Sequence, residues 1–194
     1  MSSKRIHTDS ERKVDRRITR RRALASGGAG AAAATAVAAA IFAPSQSDAA
    51  ENTITKQAEN LGMPWEKAYG YAQAVKVGDT IYLSGQLSHD DKGKMVAPAP
   101  LDAEGRIADH GNMGAQMAQS YANAKTLLKR YGATMENVVE EVVYVTDMDA
   151  AFAVAGRVRA EAYGGQPIVA STILVTPRLA FKDQLIEVKL IAKV

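Results

Sequence analysis

The sequence predicts an α/β fold in which a single β-sheet carries two helices on one face, in the order β-β-α-β-α-β-β. Apolar side chains recur at spacings of three and four residues over 113–131 and 148–158, which indicates two amphipathic helices. Short runs rich in β-branched residues lie before, between and after these helices. Strands interleaved with helices in this way are typical of one mixed sheet.

The first two strands are expected to form a hairpin. Residues 69–75 give the first strand, 77–80 the turn and 81–84 the second strand, a pattern of apolar runs around a Gly-Asp turn. Residues 89–110 are rich in Asp, Gly, Pro and Lys without a sustained period, so a long loop follows. This loop holds His89 and His110, which we expect to be solvated rather than to bind a metal.

The remaining elements alternate between helix and strand. Gly132 ends the first helix, and residues 138–145 predict a strand covered on both faces because they are nearly all apolar. Asp147 is suited to cap the second helix, and glycines 164 and 165 to end it. The last strands cover 170–176 and 185–194. Two helices cover only one face of such a sheet, so identical subunits are expected to cover the other.

The first 49 residues differ in charge from the rest of the chain. They hold nine Lys or Arg and four acidic residues, whereas the following 145 residues hold 15 basic and 17 acidic ones. The excess positive charge is therefore confined to one terminal arm. A weakly acidic globular part argues against a nucleic-acid-binding domain.

This arm has the organisation of an export signal. A basic stretch precedes an apolar run of mainly Ala and Gly over 23–43, and Ser47-Asp48-Ala49 supplies a small-x-small cleavage pattern. Residues 19–24, Thr-Arg-Arg-Arg-Ala-Leu, resemble the twin-arginine signal. We expect a cleaved signal peptide over 1–49 and a mature domain over 50–194 that is periplasmic or secreted and has no further membrane attachment. The alternative is an uncleaved membrane anchor.

The sequence contains few candidate catalytic or ligand-binding residues. The chain has no cysteine, which excludes disulfides and thiolate nucleophiles, and the common phosphate, dinucleotide, zinc-protease and serine-hydrolase motifs are absent. We therefore expect neither cofactor nor metal. Glu187 and Tyr71 lie beside apolar neighbours on predicted strands, where a carboxylate can move protons and a tyrosine can orient a polar ligand. A solvent-facing Glu187, and a turn role for Ser84, are the simpler alternatives.

Four segments together resemble the RidA/YjgF family. They are Tyr-Ala-Gln-Ala at 71–74, Val-Gly-Asp-Thr-Ile-Tyr-Leu-Ser-Gly-Gln at 77–86, Asn137 with the strand that leads to Asp147, and Arg-Leu-Ala-Phe at 178–181 before Ile-Glu-Val at 186–188. The resemblance covers the chain from about Tyr69 to its end. It implies a homotrimer like that of chorismate mutase, with helices outside, sheets around a central barrel, and ligand clefts between subunits.

The resemblance also implies an activity, the hydrolysis of small imines and enamines to a carbonyl product and ammonia. It assigns Glu187 to hold the water, Ser84 to the catalytic turn, and Tyr71 and Gly85 to substrate binding. The family's arginine for the substrate carboxylate falls at Ser171, or at Ala170 after a one-residue shift, so Ser171 is expected in the substrate site of an arginine-lacking branch. A trimer that binds a small metabolite or unfolded protein without catalysis is the alternative.

Overall fold

One six-stranded sheet forms the centre of the molecule, in the strand order β1-β2-β3-β6-β4-β5. The structure is a computed structural model and describes residues 53–194; the predicted signal peptide lies outside the described residues. Only β4 and β5 run parallel, and all other neighbouring strands are antiparallel. The elements are β1 (Gln57–Glu59), α1 (Pro64–Tyr69), β2 (Ala74–Val77), β3 (Thr80–Gln86), α2 (Met113–Arg130), β4 (Val138–Val145), α3 (Met148–Tyr163), β5 (Ala170–Val175) and β6 (Ile186–Lys193).

The two long helices lie on one face of this sheet, which confirms the predicted fold class. Helix α2 buries the stripe that contains Met113, Met117 and Tyr121 against the strands. Helix α3 begins where the Asp147 carboxylate accepts the Ala150 N–H at 2.8 Å, and it ends at Gly164, whose φ of 76° is left-handed. Helix periodicity and end residues therefore agree with the sequence pattern.

The segment before the hairpin differs from the prediction. Tyr69 is the last residue of the short helix α1 rather than the first of a strand, and Gly70 ends that helix with a φ of 67°. A left-handed glycine reverses the chain direction and prevents an extended strand from starting there. Strand β2 therefore begins only at Ala74, and β1 pairs with it as an additional edge strand.

The predicted loop is held by two small turns. Asp90 Oδ1 accepts the N–H groups of Lys92 and Lys94 at 2.9 Å, and Asp102 does the same for the turn that leads to Arg106. His89 is only 3% exposed, so the expectation of a solvated side chain was wrong for this histidine. Its ring packs against Trp65 of α1, an element that the sequence pattern did not predict.

The face of the sheet away from the helices carries both polar and apolar side chains. Tyr144 of β4 is paired with Glu187 of β6 on one side and Leu174 of β5 on the other, so these three side chains share one face. Tyr82 and Ile191 are paired on the same face. We call this surface the open face.

Candidate functional site

Glu187 is the carboxylate around which the candidate site is built. It alternates with the buried residues of β6 and therefore lies on the open face, where its side chain is half-buried. Gln184 Nε2 donates a hydrogen bond to Glu187 Oε2 at 3.3 Å. Burial raises the pKa of Glu187, and this effect exceeds the opposing effect of the Gln184 hydrogen bond. The carboxylate is therefore a stronger base than an ordinary glutamate.

A bulge in β3 brings the backbone of Gly85 against this carboxylate. The pairing of β3 with β6 shifts register between Leu83 and Gln86, as a β-bulge does. A Cβ atom at Gly85 would lie 1.9 Å from Glu187 Oε1 and 2.4 Å from its Cδ. Glycine is the one residue that leaves room for Glu187 in this position.

Hydrogen bonds from neighbouring residues fix the shape of the bulge. The Ser84 N–H donates to the Gln73 carbonyl at 2.8 Å, and Gln86 Nε2 donates to Gln73 Oε1 at 2.9 Å. Ser84 Oγ donates to the Ala72 carbonyl at 2.8 Å. The Ser84 proton is thus engaged, and its oxygen is left as a hydrogen-bond acceptor for a ligand.

Tyr71 supplies a hydroxyl that interacts electrostatically with Glu187. It follows the left-handed Gly70, and its N–H donates to the Glu66 carbonyl at 3.2 Å. Burial and then the charge of Glu66 raise the pKa of Tyr71; the contact with Trp65 lowers it, and the charge of Glu187 raises it by the smallest amount. The hydroxyl therefore stays protonated at neutral pH and can donate a hydrogen bond within the electrostatic range of Glu187.

Aromatic rings form one wall beside these groups. The ring of Trp65 meets His89 edge-on at 5.3 Å between centroids and Phe181 at 5.5 Å. Gln184 is fully buried, and its Oε1 accepts the Phe181 N–H at 3.3 Å. Sequence reasoning did not assign Trp65, Phe181 or Gln184 to the site. The available signals were that Trp65 is the single tryptophan and that Gln184 lies three residues before Glu187.

Ser171 lies elsewhere, on the helix side of the sheet. Its Oγ donates to Glu141 Oε1 at 2.8 Å, and Glu141 is fully buried between the sheet and the helices. The hydroxyls of Tyr121 and Tyr163 donate to Glu141 Oε2, and Arg159 forms an ion pair with Oε1. The structure thus brings Tyr71, Ser84, Gly85 and Glu187 together and separates Ser171 from them.

The network around Glu141 is internally compensated. Burial and the Glu141 charge raise the pKa values of Tyr121 and Tyr163, so both hydroxyls remain donors. Burial alone would lower the pKa of Arg159, but Glu141 and Tyr121 together outweigh it and the pKa is raised. These groups together compensate the charge of a buried carboxylate.

Two further properties concern residues 53–194 only. Within this range the His, Asp and Glu side chains form no group of three that could hold a metal ion. No helix in the same range combines the length and apolar character needed to cross a membrane.

Fold and site together define an α/β domain with one half-buried glutamate that lies against a glycine in a β-bulge. Residues 64–194 match the family model described as Endoribonuclease L-PSP. The chain belongs to this family, the RidA/YjgF family.

Individual relatives agree with this assignment. A RutC family protein of Pyrococcus abyssi is 33% identical over 122 residues, which are 63% of this chain and 84% of that protein. A protein of Mus musculus named 2-iminobutanoate/2-iminopropanoate deaminase is 32% identical over 79 residues, 41% of this chain and 50% of that one.

Solved structures of the family share the fold. The YjgF/YER057c/UK114 family member Rv2704 of Mycobacterium tuberculosis has a TM-score of 0.57 and 24% identity, covering 72% of this chain and all of that one. RidA of an Antarctic Psychrobacter has a TM-score of 0.50 and 30% identity, covering 64% of this chain and 88% of its own.

Proposed function

We propose that this protein is a hydrolase of small imines or enamines that releases ammonia, with Glu187 as the base that holds and activates water. The observation that carries the proposal is the half-buried Glu187 carboxylate. Burial raises its pKa, and the absence of a side chain at Gly85 leaves the space that it occupies. A partly buried carboxylate of raised pKa is suited to take a proton from water and to return it. The names of the deaminase relatives support the same chemistry.

The reaction needs one water and no redox step. The substrate reacts as the protonated imine, and Glu187 accepts a proton from water as the oxygen attacks the carbon of the C=N bond, which gives a neutral carbinolamine. Glu187 then returns this proton to the nitrogen, the C–N bond breaks to release ammonia, and the hydroxyl proton passes to Glu187 as the carbonyl C=O forms. Tyr71 is positioned to donate a hydrogen bond to the polar substrate, and Ser84 Oγ to accept one. An enamine enters the same sequence after protonation at carbon.

The proposal places this protein in a branch of the family that lacks the carboxylate-binding arginine of β5. Strand β5, Ala-Ser-Thr-Ile-Leu-Val, contains no cation, and Ser171 is engaged with Glu141. The same observation favours the second candidate function, a protein that binds a small metabolite, or unfolded protein, without turnover. Ribonuclease activity receives no support from charge, because residues 50–194 hold more acidic than basic side chains.

Turnover of imines generated in the assay distinguishes the two candidates. An amino-acid oxidase supplies 2-iminobutanoate or 2-iminopropanoate, and the loss of imine is followed with wild type and Glu187→Gln. Hydrolysis above the spontaneous rate that disappears in Glu187→Gln supports the hydrolase. Ligand binding with no acceleration for any imine supports the binding protein.

Assembly and location complete the proposal. The proposed form is a homotrimer whose open faces meet around a central barrel, because Tyr82 and Leu174 on this face are apolar and 46% and 37% exposed. It is exported by the twin-arginine route and cleaved after Ala49, as the sequence of residues 1–49 indicates.

A further inference from the structure

The indole of Trp65 carries a hydrogen-bond donor that nothing in the fold uses. Its Nε1 atom is buried and has no hydrogen-bond partner within residues 53–194. A buried N–H without an acceptor has lost its hydration without compensation, so native proteins rarely contain one without a reason. Trp65 is the single tryptophan of the chain, and the proposed hydrolysis gives it no role so far.

Contacts on several sides fix the orientation of this indole. The rings of His89 and Phe181 meet it edge-on, and the Asp90 carbonyl accepts the His89 Nδ1 proton at 2.7 Å. A Cβ atom at Gly93 would lie 2.9 Å from Trp65 Cζ3, so the backbone of the turn that Asp90 closes packs directly against the indole. The loop after β3 therefore holds the Trp65 ring in one orientation.

The group that the indole N–H approaches is the hydroxyl of Tyr71. Helix α1 ends at Gly70, and the Tyr71 N–H returns to the Glu66 carbonyl at 3.2 Å, so Tyr71 lies back beside the turn that carries Trp65. The indole lowers the pKa of Tyr71, as a donor next to the phenol oxygen does. In the structure this contact falls short of hydrogen-bond geometry. The cost of an unpaired buried N–H favours the side-chain movement that completes the bond.

We propose that Trp65 is a positioning residue of the candidate site: its indole N–H donates to the Tyr71 oxygen and thereby directs the Tyr71 proton toward the substrate. A tyrosine hydroxyl has a single proton, which rotates to suit its partners. When the oxygen accepts from Trp65, the proton points away from the indole, and polarisation along the two hydrogen bonds strengthens both. The inference rests on the proposed function, because it names the group that orients the substrate-binding hydroxyl of that site.

The pKa of Tyr71 in Trp65→Phe tests the donor. Phenylalanine keeps an aromatic ring and removes the N–H. Loss of the donor raises the pKa of Tyr71, whereas loss of packing alone would reduce the burial of Tyr71 and lower its pKa, so the two roles have opposite signs. A pH titration of the full-length protein, labelled with ¹³C at tyrosine Cζ, measures the pKa, and Tyr71→Phe identifies the signal. We expect a rise, and an unchanged or lowered pKa overturns the proposal.

The indole N–H signal tests the same bond from the side of the acceptor. A chain with one tryptophan gives one indole ¹H–¹⁵N cross-peak. Tyr71→Phe removes the acceptor, so we expect this signal to move upfield and the indole proton to exchange faster with solvent. The control is Tyr69→Phe, which removes a hydroxyl from a side chain that is 81% exposed and should leave the signal unchanged. The wild-type position of the signal in Tyr71→Phe would overturn the proposal.

Turnover separates a failure of this role from a failure of the proposed function. Trp65→Phe and Tyr71→Phe are each expected to lower kcat/KM for 2-iminobutanoate about tenfold. The double variant should lose no more than Tyr71→Phe alone, because both changes remove the same interaction. Multiplied losses in the double variant overturn the role of Trp65 and leave the proposed function to the test with Glu187→Gln. If wild type does not hydrolyse imines, the proposed function fails, and the two NMR measurements still decide whether Trp65 positions Tyr71.

Discussion

At the scale of single residues, the raised pKa of Glu187 predicts how the proposed hydrolysis depends on pH. The base must be ionised to accept a proton from water, and burial raises the pKa at which it ionises. The midpoint of the acid limb of kcat/KM is therefore displaced above pH 4.3, which is about the pKa of an ordinary glutamate. A pH-rate profile over the acid range measures it. An acid limb at the ordinary glutamate value would contradict the role of the buried carboxylate.

Gly85 is a second residue whose effect is local and measurable. A methyl group there would overlap three atoms of the Glu187 side chain, with the shortest distance 1.9 Å. Because Glu187 is the movable partner, we expect Gly85→Ala to displace it and to lower kcat about tenfold or more, with little loss of thermal stability. Kinetics and a thermal melt on the same sample test this expectation.

A matched control for this variant is Gly132→Ala, because a methyl group added at Gly132 would have no neighbour within 4 Å, although its φ is 73°. That change carries backbone strain without contact to the site, so it should lower stability and leave kcat unchanged. Equal kcat in Gly85→Ala and wild type would show that the close approach has no role in catalysis.

At the scale of elements, the Glu141 network ties α2, α3 and β5 to β4. Replacing Arg159 with Ala leaves a fully buried carboxylate without its cation, and we expect a loss of about 3 kcal/mol in the free energy of unfolding. Arg157→Ala is the control, because its ion pair with Glu161 in the same helix is exposed and should contribute under about 1 kcal/mol. Urea unfolding of both variants measures the difference, and equal losses would contradict the structural role of Arg159.

Some helices and strands could be predicted from the sequence, and one buried network could not. The helices α2 and α3 and the strand β6 followed from periodicity and end residues, because their buried faces repeat regularly. Strand β4 carries Glu140 and Glu141 side by side, and a register shift after Val138 decides which of them is buried. The local order of polar and apolar residues does not show where such a register shift occurs, so the Glu141 network could not be predicted from the sequence.

The sequence predicted some of the site residues correctly and others not. Tyr71, Ser84, Gly85 and Glu187 were expected from a family resemblance, and the structure brings them together. Ser171 was chosen by counting along the chain, but the side chains of a strand alternate between faces, and residue 171 faces Glu141 instead. Trp65 reaches the site because it lies on helix α1, which ends at the left-handed Gly70. The sequence pattern after Tyr69 resembles a strand, so this helix was not predicted.

At the scale of the whole molecule, the open face is the surface that we expect to form the subunit interfaces of the proposed trimer. Tyr82 is apolar for most of its surface, 46% exposed, and lies centrally on this face. We expect wild type to sediment at about three times the monomer mass and Tyr82→Glu to shift it toward monomer. Phe152→Glu, at an exposed position of α3 on the helix side, is the control and should remain trimeric. A wild-type monomer at micromolar concentration would contradict the trimer.

The chain that accumulates in its host should begin near residue 50. Arg20 and Arg21, the apolar run after them and Ser47-Asp48-Ala49 indicate export with cleavage. Mass spectrometry of the native protein from the periplasmic or secreted fraction should give an N-terminus at or near Ala50. Lysine substitution of both arginines should retain the precursor inside the cell. An intact Met1 form as the only species would contradict this prediction.

The position of β6 has a consequence for biosynthesis. This strand is the last element of residues 53–194, yet it lies between β3 and β4 in the middle of the sheet. The two halves of the sheet therefore have no common neighbour until β6 has left the ribosome, and closing them is a contact of long sequence separation. The sheet is completed only after β6 has been synthesised, and a chain truncated before β6 would lack both its central strand and Glu187 itself.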